Sequence, residues 1–227
     1  MYLHWGHPVT SVLHTACSII SLAVEYLKNY CKFDGQPDLL QEEGDNMTTT
    51  KLGERYSFED AQAIIAKFEE YSFDDFHGLF SEGKTPSFDE IEGDTAGSFL
   101  TLNPEAGLWR KLALAATFDN PLARWTGKRF ITQFEKEKTG RGINLFRNRI
   151  FTQRFGVNTS IDDSLFDLKP CLVVTYPHFP SSVFGLRDEL RRIDDGVFLG
   201  QGHHRLPWGK GYSLQGYFIL CALNRSG

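Results

Sequence analysis

Residues 186–201 read Leu-Arg-Asp-Glu-Leu-Arg-Arg-Ile-Asp-Asp-Gly-Val-Phe-Leu-Gly-Gln, and this stretch decides the fold class. Leu186–Ile193 and Val197–Gln201 are short strand-like runs separated by the turn signal Asp194-Asp195-Gly196. Working outward, Cys171–Tyr176, Asn144–Phe151 and Lys128–Phe134 precede them and Tyr217–Leu223 follows, with further turn signals at Thr139-Gly140 and Gly209-Lys210-Gly211. A meander of such segments closes into a small barrel or a strongly curved sheet. The expected class is α+β: a C-terminal antiparallel β-barrel or curved sheet with several N-terminal helices packed against it.

Alternation along each strand sorts the side chains into two faces. Phe130, Thr132 and Phe134 share one face; so do Asn144 and Phe146, then Leu172, Val174 and Tyr176, and finally Tyr217, Ile219, Cys221 and Leu223. These faces suit the inside of a cup, with Phe130, Phe134, Phe146, Tyr176 and Tyr217 as walls. A closed barrel of about eight strands has room for its own side chains or for one small ligand. On 186–192 the leucine face carries Asp188 and Arg192, which would form a polar anchor indoors. The bland alternative is an exposed ladder of charges. A buried carboxylate needs a cation or several donors.

The segments before the strands read as helices. Ser57-Phe58-Glu59-Asp60, Ser72-Phe73-Asp74-Asp75 and Ser87-Phe88-Asp89-Glu90 each match the capping-box pattern, in which serine accepts from the third helical amide and acids sit at the positive end of the helix dipole. A fourth helix is expected from Asn103-Pro104-Glu105 to Asn120-Pro121, with Trp109, Leu112, Ala113 and Ala116 on one face. Val9–Leu27 carries a single apolar stripe interrupted by His14, Ser18 and Glu25, short of the ~20 mostly apolar residues that span a bilayer. It reads as a docking helix, for the barrel or for a second copy of the chain in a homodimer. The expected division is 1–46, amphipathic helix and linker, and 47–227, helical lid plus barrel.

Phenylalanine is overused, 19 of 227 residues, which favours a core or pocket with large flat walls. The net charge of −5 conceals an acidic stretch from Asp38 to Asp94 and a basic remainder from Glu105 onward. Complementary packing of the two halves explains the split, and the acidic half argues against nucleic acid as a partner. None of Cys17, Cys31, Cys171 and Cys221 forms a CxxC pair. That points to reduced thiols in a cytoplasmic protein rather than to disulfides or zinc. The sequons at Asn46 and Asn158 are read as chance matches of a short motif.

No constellation names a reaction. Walker A, GxGxxG and GxSxG patterns are all missing, and no cofactor is implied. His203 and His204 would point to opposite faces of a strand and so cannot share a metal there. They and His178 are read as loop histidines by default. Asp188, His203 and His204 are the candidate acid–base groups if the cup is catalytic.

The meander ending in Asp194-Asp195-Gly196-Val197-Phe198-Leu199-Gly200 and Tyr217-Phe218-Ile219-Leu220 resembles the calycin group, the lipocalins and fatty-acid-binding proteins. Asn120–Phe130, Gly140–Phe146 and Arg187–Arg191 are similar to a set of bacterial lipocalin-like proteins. The resemblance covers roughly the last half of the chain and implies a barrel, with no activity attached. Lipocalins mark their first strand with Gly-x-Trp; Gly107-Leu108-Trp109 matches, but within an expected helix. The strand region is short for a full lipocalin, so a smaller or partly open barrel sealed by helices is expected. The resulting expectation is binding of a small hydrophobic ligand, one that can bear a carboxylate. The alternative is a cofactor-independent cyclase, isomerase or hydratase using the same pocket.

Overall fold

The computed structural model describes residues 53–105, 124–134, 139–147, 156–177, 185–206 and 211–224, with the backbone alone for 132–134. The Val9–Leu27 helix, the boundary at 47, most of the helix expected after Asn103, His178 and the Phe134 side chain lie outside the described residues.

The three capping patterns each start a helix: α1 (Phe58–Ala66), α2 (Phe73–Glu82) and α3 (Phe88–Ile91). Ser57, Ser72 and Ser87 accept from the amides of Asp60, Asp75 and Glu90. In α2 and α3 the acid's carboxylate in turn accepts from the serine amide, completing the box. Each such cap stabilises its helix by about 1 kcal/mol.

Eight strands follow: β1 (Gly93–Leu102), β2 (Trp125–Phe134), β3 (Thr139–Phe146), β4 (Gly156–Asp163), β5 (Pro170–Thr175), β6 (Leu186–Asp194), β7 (Val197–Arg205) and β8 (Tyr212–Ala222). Each pairs antiparallel with the next, and β1 closes on β8 from Thr95↔Ala222 to Leu102↔Gly216. The barrel is therefore closed, not a curved sheet and not partly open. Closure uses two strands the sequence reading did not anticipate. β1 is obscured by its glycines and small polar residues, whereas β4 does alternate (Val157, Thr159, Ile161) but ends in two aspartates.

Gly140, read as part of a turn, lies inside β3. A Cβ there would fall 2.7 Å from Thr159 Oγ1, and one at Gly142 would fall 2.4 Å from the Arg129 carbonyl oxygen. These glycines allow close approach within the wall. His203 and His204 likewise belong to β7 and not to a loop.

Both faces of β6–β8 are covered, which is why their sequences resist simple alternation. Inside the barrel pack Trp125, Phe130, Val157, Leu172, Val174, Leu190, Phe198, Phe218 and Leu220. Outside, α1 covers Ala96, Val197, Ile219 and Cys221, and α2 covers Leu199 and Tyr217. The face of β8 expected to point inward, Tyr217-Ile219-Cys221, thus faces the helices instead. The short α3 plugs one end of the barrel: Ile91 and Phe88 join the interior cluster, and Lys84 pairs backbone to backbone with Arg192. At this end the strand connections 135–138, 164–169 and 195–196 are short. At the other end the strands are joined through 103–124, 147–155, 176–185 and 206–211.

Candidate functional site

Lys128 is the centre of the polar interior. It shares the inner face of β2 with Phe130, and its side chain is 2% exposed. Its ammonium donates to Asn144 Oδ1 at 2.8 Å and to the Tyr176 hydroxyl at 2.6 Å, and it pairs with Asp188 Oδ2 at 3.1 Å. Three donors meet three acceptors, so the buried cation is fully satisfied. Tyr176 in turn donates to Asp188, and the Trp125 indole donates to Asn144 Oδ1 at 3.2 Å. The rings of Trp125, Tyr176 and Phe218 surround the ammonium at 5.6, 5.1 and 5.6 Å, close enough for cation–π attraction.

Burial pushes the Lys128 ammonium below the ordinary lysine value, and Asp188 opposes that shift. Burial also raises the Tyr176 hydroxyl well above its ordinary value, and the Asp188 carboxylate beside it adds to the rise. The cluster thus holds an ammonium that burial makes easier to deprotonate, a hydroxyl that keeps its proton, and a carboxylate in contact with both.

The residues singled out from sequence divide sharply. Phe130, Phe146 and Tyr176 stand in or against the interior cluster. Asp188 is interior as well, its side chain 13% exposed beside Lys128. Arg192 shares its strand face but lies roughly 13 Å further along. There it pairs with Glu90 of α3 and approaches Asp195, so Asp188 and Arg192 do not form one anchor. Tyr217 is on the outer face, where its hydroxyl meets His77 Nδ1 at 2.9 Å and accepts from Gln201 Nε2 at 3.3 Å. It is not a wall of the barrel interior. The reason is the apolar cover of α2, which makes an outer tyrosine look like a core residue in sequence.

His203 also faces outward and is buried. It bonds to Gln201 Oε1 at 3.1 Å and lies 3.9 Å from Glu189, and burial lowers its pKa. His204 occupies the neighbouring position of β7, paired in register with Leu186 and Ser213. The row Arg187-Glu189-Arg191, expected to be exposed, is enclosed by α2 and 164–169. Glu189 accepts from Ser164 Oγ, the Leu165 amide and Arg187 Nε at 2.6, 2.9 and 2.9 Å. Arg191 forks onto both oxygens of Asp167 at 2.6 and 2.8 Å and caps the Phe80 carbonyl at 3.0 Å. These contacts tie α2 to the β4–β5 connection.

Sequence reasoning missed Lys128, Trp125 and Asn144 as a set. The signal available was that Lys128 falls in register with Phe130 on an apolar face. Elsewhere, the outer wall of β3–β5 carries a shallow cleft of about 400 Å³ lined by Arg141, Asn158, Ser160 and Thr175. Among the described residues no three metal-ligating side chains gather to share an ion, and no helix is long and apolar enough to cross a membrane.

No known family model matches the chain, and no curated protein does. Among solved structures, a crystal structure of a protein from Thermomonospora curvata is similar at 17% identity and a TM-score of 0.43, covering 73% of this chain and 97% of that one.

Proposed function

We propose that this is a lipocalin-like, calycin-type barrel that binds a small hydrophobic molecule, with the molecule's polar head against Lys128, Tyr176 and Asp188. The observation that carries the reading is the ion pair inside the barrel, walled by Trp125, Tyr176 and Phe218. A buried ion pair is no more stabilising than well-packed apolar residues of similar volume, so its presence in a core calls for another role. Space beside it supports the same reading: a Cβ at Gly202 would meet nothing closer than Asp188 Oδ1, at 3.7 Å.

Charge selects the head group. Lys128 is already neutralised by Asp188, so a ligand carboxylate would add an uncompensated negative charge in a poorly solvated site. A carbonyl or hydroxyl fits without that cost. The carboxylate expected from sequence fits only when it arrives protonated or Asp188 takes up a proton.

Native mass spectrometry of protein purified without organic solvent tests the proposal, together with uptake of a hydrophobic alcohol by the wild type and by Gly202→Leu. A reproducible added mass that is lost on denaturation, and uptake blocked by Gly202→Leu, is the expected result. A clean apo mass with no uptake would overturn it.

The Tyr176–Asp188 hydrogen bond also supports the rival reading, an isomerase, cyclase or hydratase in which this pair moves a proton. Asp188→Ala separates the two readings: it abolishes turnover in an enzyme and leaves affinity within about an order of magnitude in a binder.

A further inference from the structure

We propose that Lys128 is a covalent capture residue, forming an imine with an aldehyde or ketone on the bound molecule. The inference rests on the barrel-binding reading above and specifies the chemistry of that site. Among the described residues, Lys67, Lys84 and Lys169 are exposed, and Lys128 is the lysine held in the apolar interior. Desolvation in an apolar pocket is one way a lysine amine becomes a nucleophile near neutral pH, because it favours the uncharged form. The direction found for Lys128 agrees.

The neighbours supply the proton traffic. Asp188 Oδ2, at 3.1 Å, accepts a proton from the ammonium and frees the nitrogen lone pair. That nitrogen attacks the carbonyl carbon, forming the C–N bond. The Tyr176 hydroxyl, 2.6 Å from Nζ, is placed to donate to the carbonyl oxygen as it gains charge, recovering its proton from the new C–N nitrogen. The resulting carbinolamine loses its hydroxyl as water when Asp188 returns the proton. The C–O bond breaks, and a protonated imine is left beside the Asp188 carboxylate. The sum is ammonium plus carbonyl giving iminium plus water, with no oxidant or reductant. The ion pair that exists before the reaction therefore exists after it, with the positive charge still on the same nitrogen. The Trp125, Tyr176 and Phe218 rings suit the iminium as they suit the ammonium.

The test uses the full chain with cinnamaldehyde and, in parallel, cinnamyl alcohol, which has the same apolar body and cannot form an imine. Sodium borohydride is then added, and the protein is weighed intact and mapped by peptide. The expected result is one reduced adduct per chain, located at Lys128 and lost in Lys128→Arg, while the alcohol binds without an adduct. Mapping in the wild type makes the result independent of whether the variant folds. Binding of both probes with no adduct, or with adducts spread over Lys67, Lys84 and Lys169, would overturn imine formation and leave the binding reading standing. Failure of both probes to bind would overturn the two together.

Discussion

Lys128 and Asp188 sit on β2 and β6, four strands apart in either direction around an eight-stranded closed barrel, and their side chains meet across its bore at 3.1 Å. Opposite walls are thus joined by a charge pair rather than by apolar packing alone. Each partner is needed to keep the other's charge buried, and the aromatic rings around Nζ leave little water to take over that task.

Breaking the pair on one side should be costly. Lys128→Met and Asp188→Leu are each expected to lose about 3–5 kcal/mol, because each strands a charge in the core. The double variant should recover most of the loss, since it leaves no charge behind. Urea unfolding of the four proteins measures the cycle, and additive losses would contradict the geometry.

Two neighbouring glycines of β7 should respond differently to alanine. A Cβ at Gly200 would fall 2.2 Å from the Phe218 ring, which is backed edge to face by Trp125. Gly200→Ala is expected to cost about 1–3 kcal/mol. At Gly202 the same change meets only Asp188 Oδ1 at 3.7 Å and should be neutral or stabilising by up to about 1 kcal/mol. Thermal unfolding of the two variants compares them directly.

Acid should loosen the outer face through Asp167. The Arg191 guanidinium bonded to it holds its carboxyl down to about 2, against an ordinary value of 3.8. A depressed carboxyl stabilises the fold fully above its ordinary value, and that contribution is lost as pH falls towards 2. Asp167→Asn should therefore be less stable than wild type at neutral pH, with the gap closing between pH 4 and 2. Denaturant midpoints across that range would show it, and a gap independent of pH would contradict it.

Burial pushes the thiols of Cys171 and Cys221 up to about 12. Since the thiolate is the reactive form, neither should be alkylated in the folded protein at pH 8. Iodoacetamide labelling followed by peptide mapping should find both modified only after unfolding.

Much of the frame was legible in the chain itself. The serines at 57, 72 and 87, each followed by an acid three residues on, gave the starts of three helices, because capping is a local hydrogen-bond arrangement. The aromatic and branched runs on either side of Asp194-Asp195-Gly196 gave most of the meander. β1 was not read, because small and polar residues suffice for a strand whose neighbours supply the pairing, and the alternation of β4 is masked by the two aspartates that end it.

The faces and the site were decided by tertiary structure. Alternation states which residues share a face and is silent on which face is inside once helices cover the outer wall. Tyr217 and Phe218 are both aromatic and enclosed, yet one lies under α2 and the other in the bore. Asp188 could be placed indoors from its leucine neighbours, but its partner could not be named: Lys128 is sixty positions earlier and reaches it only because β1 and β8 close the ring. Short-range chemistry set the caps, turns and strands; closure of the barrel brought a lysine from one wall to an aspartate on the other.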